Sequence, residues 1–207
     1  MSQCSKKNCG FSITELLVSL GIVLVLLSLV AFNQQKYTDT SALVSLADEF
    51  SLTVTQAQAY GVAVKERAPG SADFSASYGI SLSLLGSGSN IAYLFFSDRN
   101  VNKYYDGAWD CPVGGTSECL EKANISRGNY IDSICVVRTN GADQCNTVSR
   151  VDISFVRPDT EAQLVFFNNG GQVTVPQNMK GVRIVFKSPS NVTRSVVVYQ
   201  TGQISVQ

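Results

Sequence analysis

Three patterns of apolar and polar positions follow one another along the chain. From Leu16 to Phe32 the run "LLVSLGIVLVLLSLVAF" carries no charge, and only Ser19, Gly21 and Ser28 interrupt it. It predicts a helix of roughly 25 Å, enough to cross a hydrocarbon core with help from its flanks. After the polar stretch Asn33-Gln34-Gln35-Lys36 the pattern turns periodic. Leu43, Leu46, Ala47, Phe50, Val54, Ala57 and, less regularly, Tyr60 recur at spacings of three and four. That is the stripe of an amphipathic helix, with a stop expected at Gly61. Beyond it, Gly, Ser and Asn punctuate the short runs "VAVKE", "ASYGISLSL", "IAYLFFSD", "SICVVRT", "VDISFVR", "AQLVFFNN", "GVRIVFKS" and "RSVVVYQ". These are rich in Val, Ile, Phe and Tyr, several alternate with period two, and they predict strands. The predicted class is α+β: a long N-terminal helix, transmembrane below and amphipathic above, packed on an antiparallel β-sheet head.

Composition narrows the chemistry. In 207 residues, Lys+Arg and Asp+Glu both number 16, so there is no electrostatic footprint for nucleic acid. Lys6 and Lys7 precede the apolar run, which by the positive-inside rule puts the N-terminus in the cytoplasm and the head outside. Histidine is absent, which removes the commonest general base and imidazole ligand. No glycine-rich phosphate loop follows a strand and no nucleophile elbow is present, so an enzyme is not expected.

One acid, Glu15, stands at the threshold of the apolar run. An ionised carboxylate in lipid costs at least ~2.5 kcal/mol, so it asks for a partner. A cleaved secretory signal fits poorly, because Glu15 interrupts the start of its apolar core and the run is long. A plain anchor explains the length and leaves the acid unexplained. The stretch "KKNCGFSITE" resembles the signal of type IV pilins and type II secretion pseudopilins: a short basic leader, Gly10, the aromatic Phe11 and Glu15 four residues later. The resemblance implies that a prepilin peptidase cuts after Gly10 and N-methylates Phe11. It further implies that Glu15 pairs with the Phe11 amine of a neighbouring subunit, where an unpaired charge of either sign is costly. The implied division is residues 1–10 leader, 11–35 transmembrane and assembly helix, 36–62 amphipathic upper helix and 63–207 head. The implied partners are the peptidase, other pilins or pseudopilins in a filament, and an inner-membrane assembly platform. Where pilins often carry a proline this chain has Phe32, so an unkinked helix is expected.

The ending, "FFNNGGQVTV" followed by "GVRIVFKSPSNVTRSVVVYQTGQISV", is similar to the minor pseudopilin H and FimT-like group. FimT-like proteins bind DNA through a basic C-terminal region. Here the candidates are Lys180, Arg183, Lys187 and Arg194, and no basic residue follows Arg194, so a DNA- or surface-binding tip pilin stands as the second reading.

Two further constellations lie in the head. Asp98, Asn100, Asn102 and Asp106, with the Tyr104 carbonyl, have the order of oxygen ligands in a calcium loop, for which calcium would be a structural cofactor. Against it, Lys103 holds the turn position where glycine is expected, and the blander reading is a hairpin of turn formers. Cys111, Cys119, Cys135 and Cys145 point to two disulfides in an oxidising compartment, with three pairings open. A four-thiolate zinc site lacks the closely spaced pair it needs.

Overall fold

The computed structural model describes residues 12–63, 76–112, 117–145, 147–174 and 178–207. Among the described residues one helix, α1 (Ile13–Val62), comes first, and no break is present at Phe32. Ten strands follow among the described residues: β1 (Ser77–Ser83), β2 (Ala92–Asp98), β3 (Cys119–Asn124), β4 (Tyr130–Arg138), β5 (Arg150–Phe155), β6 (Ala162–Asn168), β7 (Gly171–Val173), β8 (Met179–Lys187), β9 (Thr193–Tyr199) and β10 (Ile204–Val206). The class is α+β, as expected. The chain divides into two units at Thr38, the second running from Asp39 to Gln207 and forming the head.

The head holds two sheets where the sequence suggested one. The larger has the order β3-β2-β1-β5-β6-β7 and the smaller β10-β9-β8-β4, with every neighbouring pair antiparallel. The stripe read from the sequence is what they share. Leu43, Leu46, Ala47, Phe50, Val54 and Ala57 are buried, in one cluster with Tyr78, Ile80 and Tyr93 of the larger sheet and Ile134, Val182, Ile184 and Phe186 of the smaller. Phe50 sits at the meeting point, its ring edge-on to Tyr93 at 5.2 Å and to Phe186 at 5.3 Å.

Two sequence readings are corrected. α1 ends at Val62, the expected end of the upper helix and one residue past the stop expected at Gly61, which takes Val62 out of the strand read in "VAVKE"; residues 64–66 of that run lie outside the described residues. Gly61 is required for a different reason: a Cβ there would meet the Phe155 carbonyl oxygen at 2.5 Å, so this turn of helix lies directly on β5. The second correction concerns alternation. β1 and β2 are buried at all seven positions each, because the excursion between β2 and β3 folds back over the outer face of the larger sheet. There Leu94, Phe96 and Tyr105 form a second small core, with Trp109, Cys111 and Cys119 packed against it.

Replacing Phe50 by alanine removes the contact common to both sheets. Such truncations cost about 3–5 kcal/mol, so denaturant unfolding of a fragment from Asp39 onward should show Phe50→Ala as strongly destabilised, with Leu52→Ala, at a 68% exposed position, close to wild type.

Candidate functional site

Ser12 opens α1: its carbonyl accepts the N–H groups of Glu15 and Leu16, both at 3.1 Å. Glu15 is exposed in the first turn, where the helix dipole favours an acid. Gly10 and Phe11, the residues of the expected cleavage position, lie outside the described residues. From Ile13 to Val30 the large apolar side chains are 52% to 80% exposed on all sides of the helix. The two serines within this run turn inward on the helix itself. Ser19 donates to the Leu16 carbonyl at 2.9 Å and Ser28 to the Val25 carbonyl at 2.7 Å, so neither hydroxyl needs water. The helix is long and apolar enough to cross a membrane. A contiguous apolar surface of this kind requires lipid or other apolar side chains against it.

The expected calcium residues do gather in one loop. Asp98, fully buried, takes the N–H of Asn102 at 3.3 Å on one oxygen, and the Lys103 N–H at 2.8 Å and Ser77 hydroxyl at 3.0 Å on the other. The side-chain oxygens of Asn100 and Asn102 accept the backbone N–H groups of Asn102 and Tyr104 at 3.2 and 3.0 Å. Both amide NH₂ groups therefore face Asp106 Oδ2, at 2.7 and 3.1 Å. Tyr104 turns its ring onto Phe167, and Lys103 reaches φ 72 in the position where a calcium loop carries glycine. In this arrangement the loop's own amides, and the backbone N–H groups, occupy the side-chain oxygens of Asp98, Asn100, Asn102 and Asp106. Among the described residues no group of three or more His, Cys, Asp or Glu is placed to hold a metal.

The cysteines resolve into the sequential pairing, Cys111–Cys119 and Cys135–Cys145. The first closes the excursion after β2, and the second ties the 139–144 turn back to β4. Three of the four basic residues of the DNA reading are engaged within the head. Arg183 donates to Asp143 at 2.9 Å and to Gln207 at 2.6 Å, Lys187 lies 3.6 Å from Asp132, Lys180 sits over the Tyr199 ring, and Arg194 is on β9.

What the sequence reading missed is how the excursion is fastened. Asp152, fully buried on β5, accepts the Ser81 hydroxyl at 2.5 Å, the Tyr105 N–H at 3.0 Å and the Arg150 guanidinium at 2.5 Å. Arg150 also donates to the Tyr105 carbonyl and lies 4.5 Å from the centroid of the Phe167 ring. Glu118 accepts the N–H groups of Arg99 at 3.0 Å and Asp106 at 3.2 Å. Ser154 donates to the Lys103 carbonyl. With Asp98, three carboxylates thus satisfy backbone donors that have no β-partner. The available signal was the lone acid inside the apolar strand "RVDISF". Burial raises the pKa of Asp152 above its ordinary value, against the pull of Arg150, and raises that of Glu118 against its two N–H donors. Burial, with Glu118 and Asp110 nearby, pushes the Tyr105 phenol up to about 12, so it stays protonated and donates to the Ala108 carbonyl.

Substituting Arg150 by leucine leaves the Asp152 carboxylate buried without its counter-charge, a change that costs about 3 kcal/mol at neutral pH. In the variant the folded-state pKa of Asp152 rises further above the unfolded value. The deficit should vanish below the unfolded pKa, near 3.8, and open as pH rises through the folded one. Urea midpoints of wild type and Arg150→Leu across that range test this; a deficit independent of pH would mean that Arg150 acts by packing alone.

Compared with the models of known protein families, with curated proteins and with solved structures, the chain matches none.

Proposed function

We propose that the chain is a prepilin-type precursor whose mature form is a minor pilin or pseudopilin, a structural subunit of a type II secretion or type IV pilus filament rather than an enzyme. The observation that carries this reading is the order Gly10, Phe11, Glu15 ahead of an apolar helix whose surface is uncovered from Ile13 to Val30, joined without interruption to the helix that bears the head's core stripe. Before processing, the subunit rests in the inner membrane with its N-terminus in the cytoplasm and its head outside, consistent with Lys6 and Lys7 before the span and with two disulfides in the head. Prepilin peptidase cuts after Gly10 and methylates the new amine of Phe11. On assembly at the membrane platform, neighbouring helices replace lipid around Leu16 to Phe32, and Glu15 meets a Phe11 amine in low dielectric. The DNA-binding alternative has less support, since Arg183 and Lys187 are engaged by Asp143 and Asp132.

Intact mass and N-terminal sequencing of protein from cells expressing a cognate prepilin peptidase should give a chain starting at N-methyl-Phe11. A start at Met1, or after Ala31, would leave an anchor or a secretory signal instead. In the same cells Glu15→Ala should be processed and fold its head normally while entering filaments at least tenfold less, scored by immunoblot of sheared filaments; normal incorporation would remove Glu15 from the mechanism.

A further inference from the structure

Two asparagine–glycine pairs occur in the chain, Asn140-Gly141 and Asn169-Gly170. Such a pair carries a reaction of its own: the backbone nitrogen of the glycine can attack the side-chain carbonyl carbon of the asparagine, and glycine has no Cβ to obstruct the approach. The structure treats the two pairs differently. Asn169 and Gly170 lie between the paired residues Asn168 and Gly171 of the β6–β7 hairpin, and the Gly170 N–H donates to Asn168 Oδ1 at 2.8 Å. That nitrogen is held, and its bond has to break before it can react. Asn140 and Gly141 instead form the exposed tip of the turn that leaves β4, with Gly141 at φ 92. The turn is anchored on either side of the pair. The Thr139 N–H donates to the Asn178 carbonyl at 2.8 Å, and Nε and Nη2 of Arg138 donate to the Ala142 carbonyl at 2.9 and 2.6 Å. Among the described residues the Gly141 N–H has no hydrogen-bond acceptor.

Arg138 does more than hold the turn. A Cβ on Gly141 would meet its Nη2 at 3.3 Å, so the guanidinium lies against the glycine. A cation there favours loss of the proton from the Gly141 nitrogen and the oxyanion that forms as that nitrogen attacks. We propose that Asn140 is a site of spontaneous modification, converted through a succinimide to aspartate and isoaspartate, with the charge of Arg138 promoting the step. The Gly141 nitrogen gives its proton to solvent and bonds Asn140 Cγ, and the side-chain nitrogen leaves as ammonia. Water then opens the ring. Breaking the new bond leaves aspartate; breaking the original peptide bond leaves isoaspartate, with the backbone rerouted through the side chain. Water is consumed, ammonia is released and nothing is oxidised or reduced. Either product replaces a neutral amide by a carboxylate beside Arg138, so the head gains a negative charge as it ages. This is independent of filament assembly.

The test ages the full-length, disulfide-bonded chain in detergent at physiological temperature and mildly alkaline pH. Peptide mapping by mass spectrometry follows Asn140 and Asn169, with isoaspartyl methyltransferase labelling to identify the isomer. Asn140 should convert several-fold faster than Asn169. Arg138→Gln should slow the conversion several-fold, and Arg138→Lys, which keeps the charge, should restore most of the rate. Conversion of Asn169 first, equal rates at the two pairs, or no conversion of Asn140 while a synthetic peptide of residues 136–144 converts would each overturn the proposal. So would an Arg138→Gln chain that converts as fast as wild type, or an Arg138→Lys chain as slow as Arg138→Gln.

Discussion

The contact of Phe50 with both Tyr93 and Phe186 shows what holds the head together. Among the described residues the two sheets share no strand, and backbone bonds pass between them singly, as from the Ala162 N–H of β6 to the Gln200 carbonyl just past β9. What joins them is the apolar stripe of α1, laid so that one helix covers both inner faces. Burial of apolar area is non-directional, but edge-on aromatic pairs are not. Phe50 uses two of them to fix the position of the helix against each sheet. Gly61 and Gly79 mark where backbones come closest. A Cβ on Gly61 would strike the Phe155 carbonyl, and one on Gly79 would press on the Phe96 ring at 2.8 Å and on the Ile153 carbonyl.

Covering the inner faces leaves an outer face on β1, β2 and β5, and the chain covers it with an irregular excursion rather than a helix. That choice explains the buried charges. An irregular segment lying on a sheet brings backbone N–H groups with no ladder to join, and each must find an acceptor or cost free energy. Asp98, Glu118 and Asp152 are those acceptors, together taking the N–H groups of Arg99, Asn102, Lys103, Tyr105 and Asp106. A carboxylate has two oxygens that each accept more than one bond, so three side chains suffice for five donors. Arg150 then balances Asp152, which is as fully buried as Asp98.

The sequence made the long-range order readable where a single period ruled. The helical stripe emerged residue by residue because it packs on one side only, and seven of the eight strand runs fell on strands because their β-branched and aromatic content is dense. β3 escaped, since "CLEKAN" places Glu121 and Lys122 in an edge strand where charge guards against pairing with other chains. Period-two alternation misled for β1 and β2, since nothing local announces that Ser77, Ser81 and Ser83 will be covered. The Asp98–Asp106 loop shows the same limit at a site. Alternating Asp and Asn were legible, but whether their amides turn oxygen or nitrogen inward depends on which backbone N–H groups lie near, and that is tertiary information.

The lower and upper parts of α1 follow different rules within one helix. Above Thr38 the apolar residues form a stripe; from Ile13 to Val30 they cover the whole circumference. A stripe fits a single solid neighbour, whereas a full circumference fits an environment that is apolar from every side and indifferent to rotation. Lipid meets that requirement for a lone subunit, and a ring of similar helices meets it equally, so exchanging one for the other costs little in apolar contact. On the proposed reading the exchange must then be decided by something that lipid cannot offer. Glu15 is the only charge from Ile13 to Gln35, and a complementary amine from a neighbour gains strength as water and headgroups are excluded. On that reading an unpaired Glu15 held at the membrane surface keeps its hydration, and the proposed precursor can wait there. Only the packed state gives the pair its full value, and specificity for assembly over residence in the membrane follows from that difference.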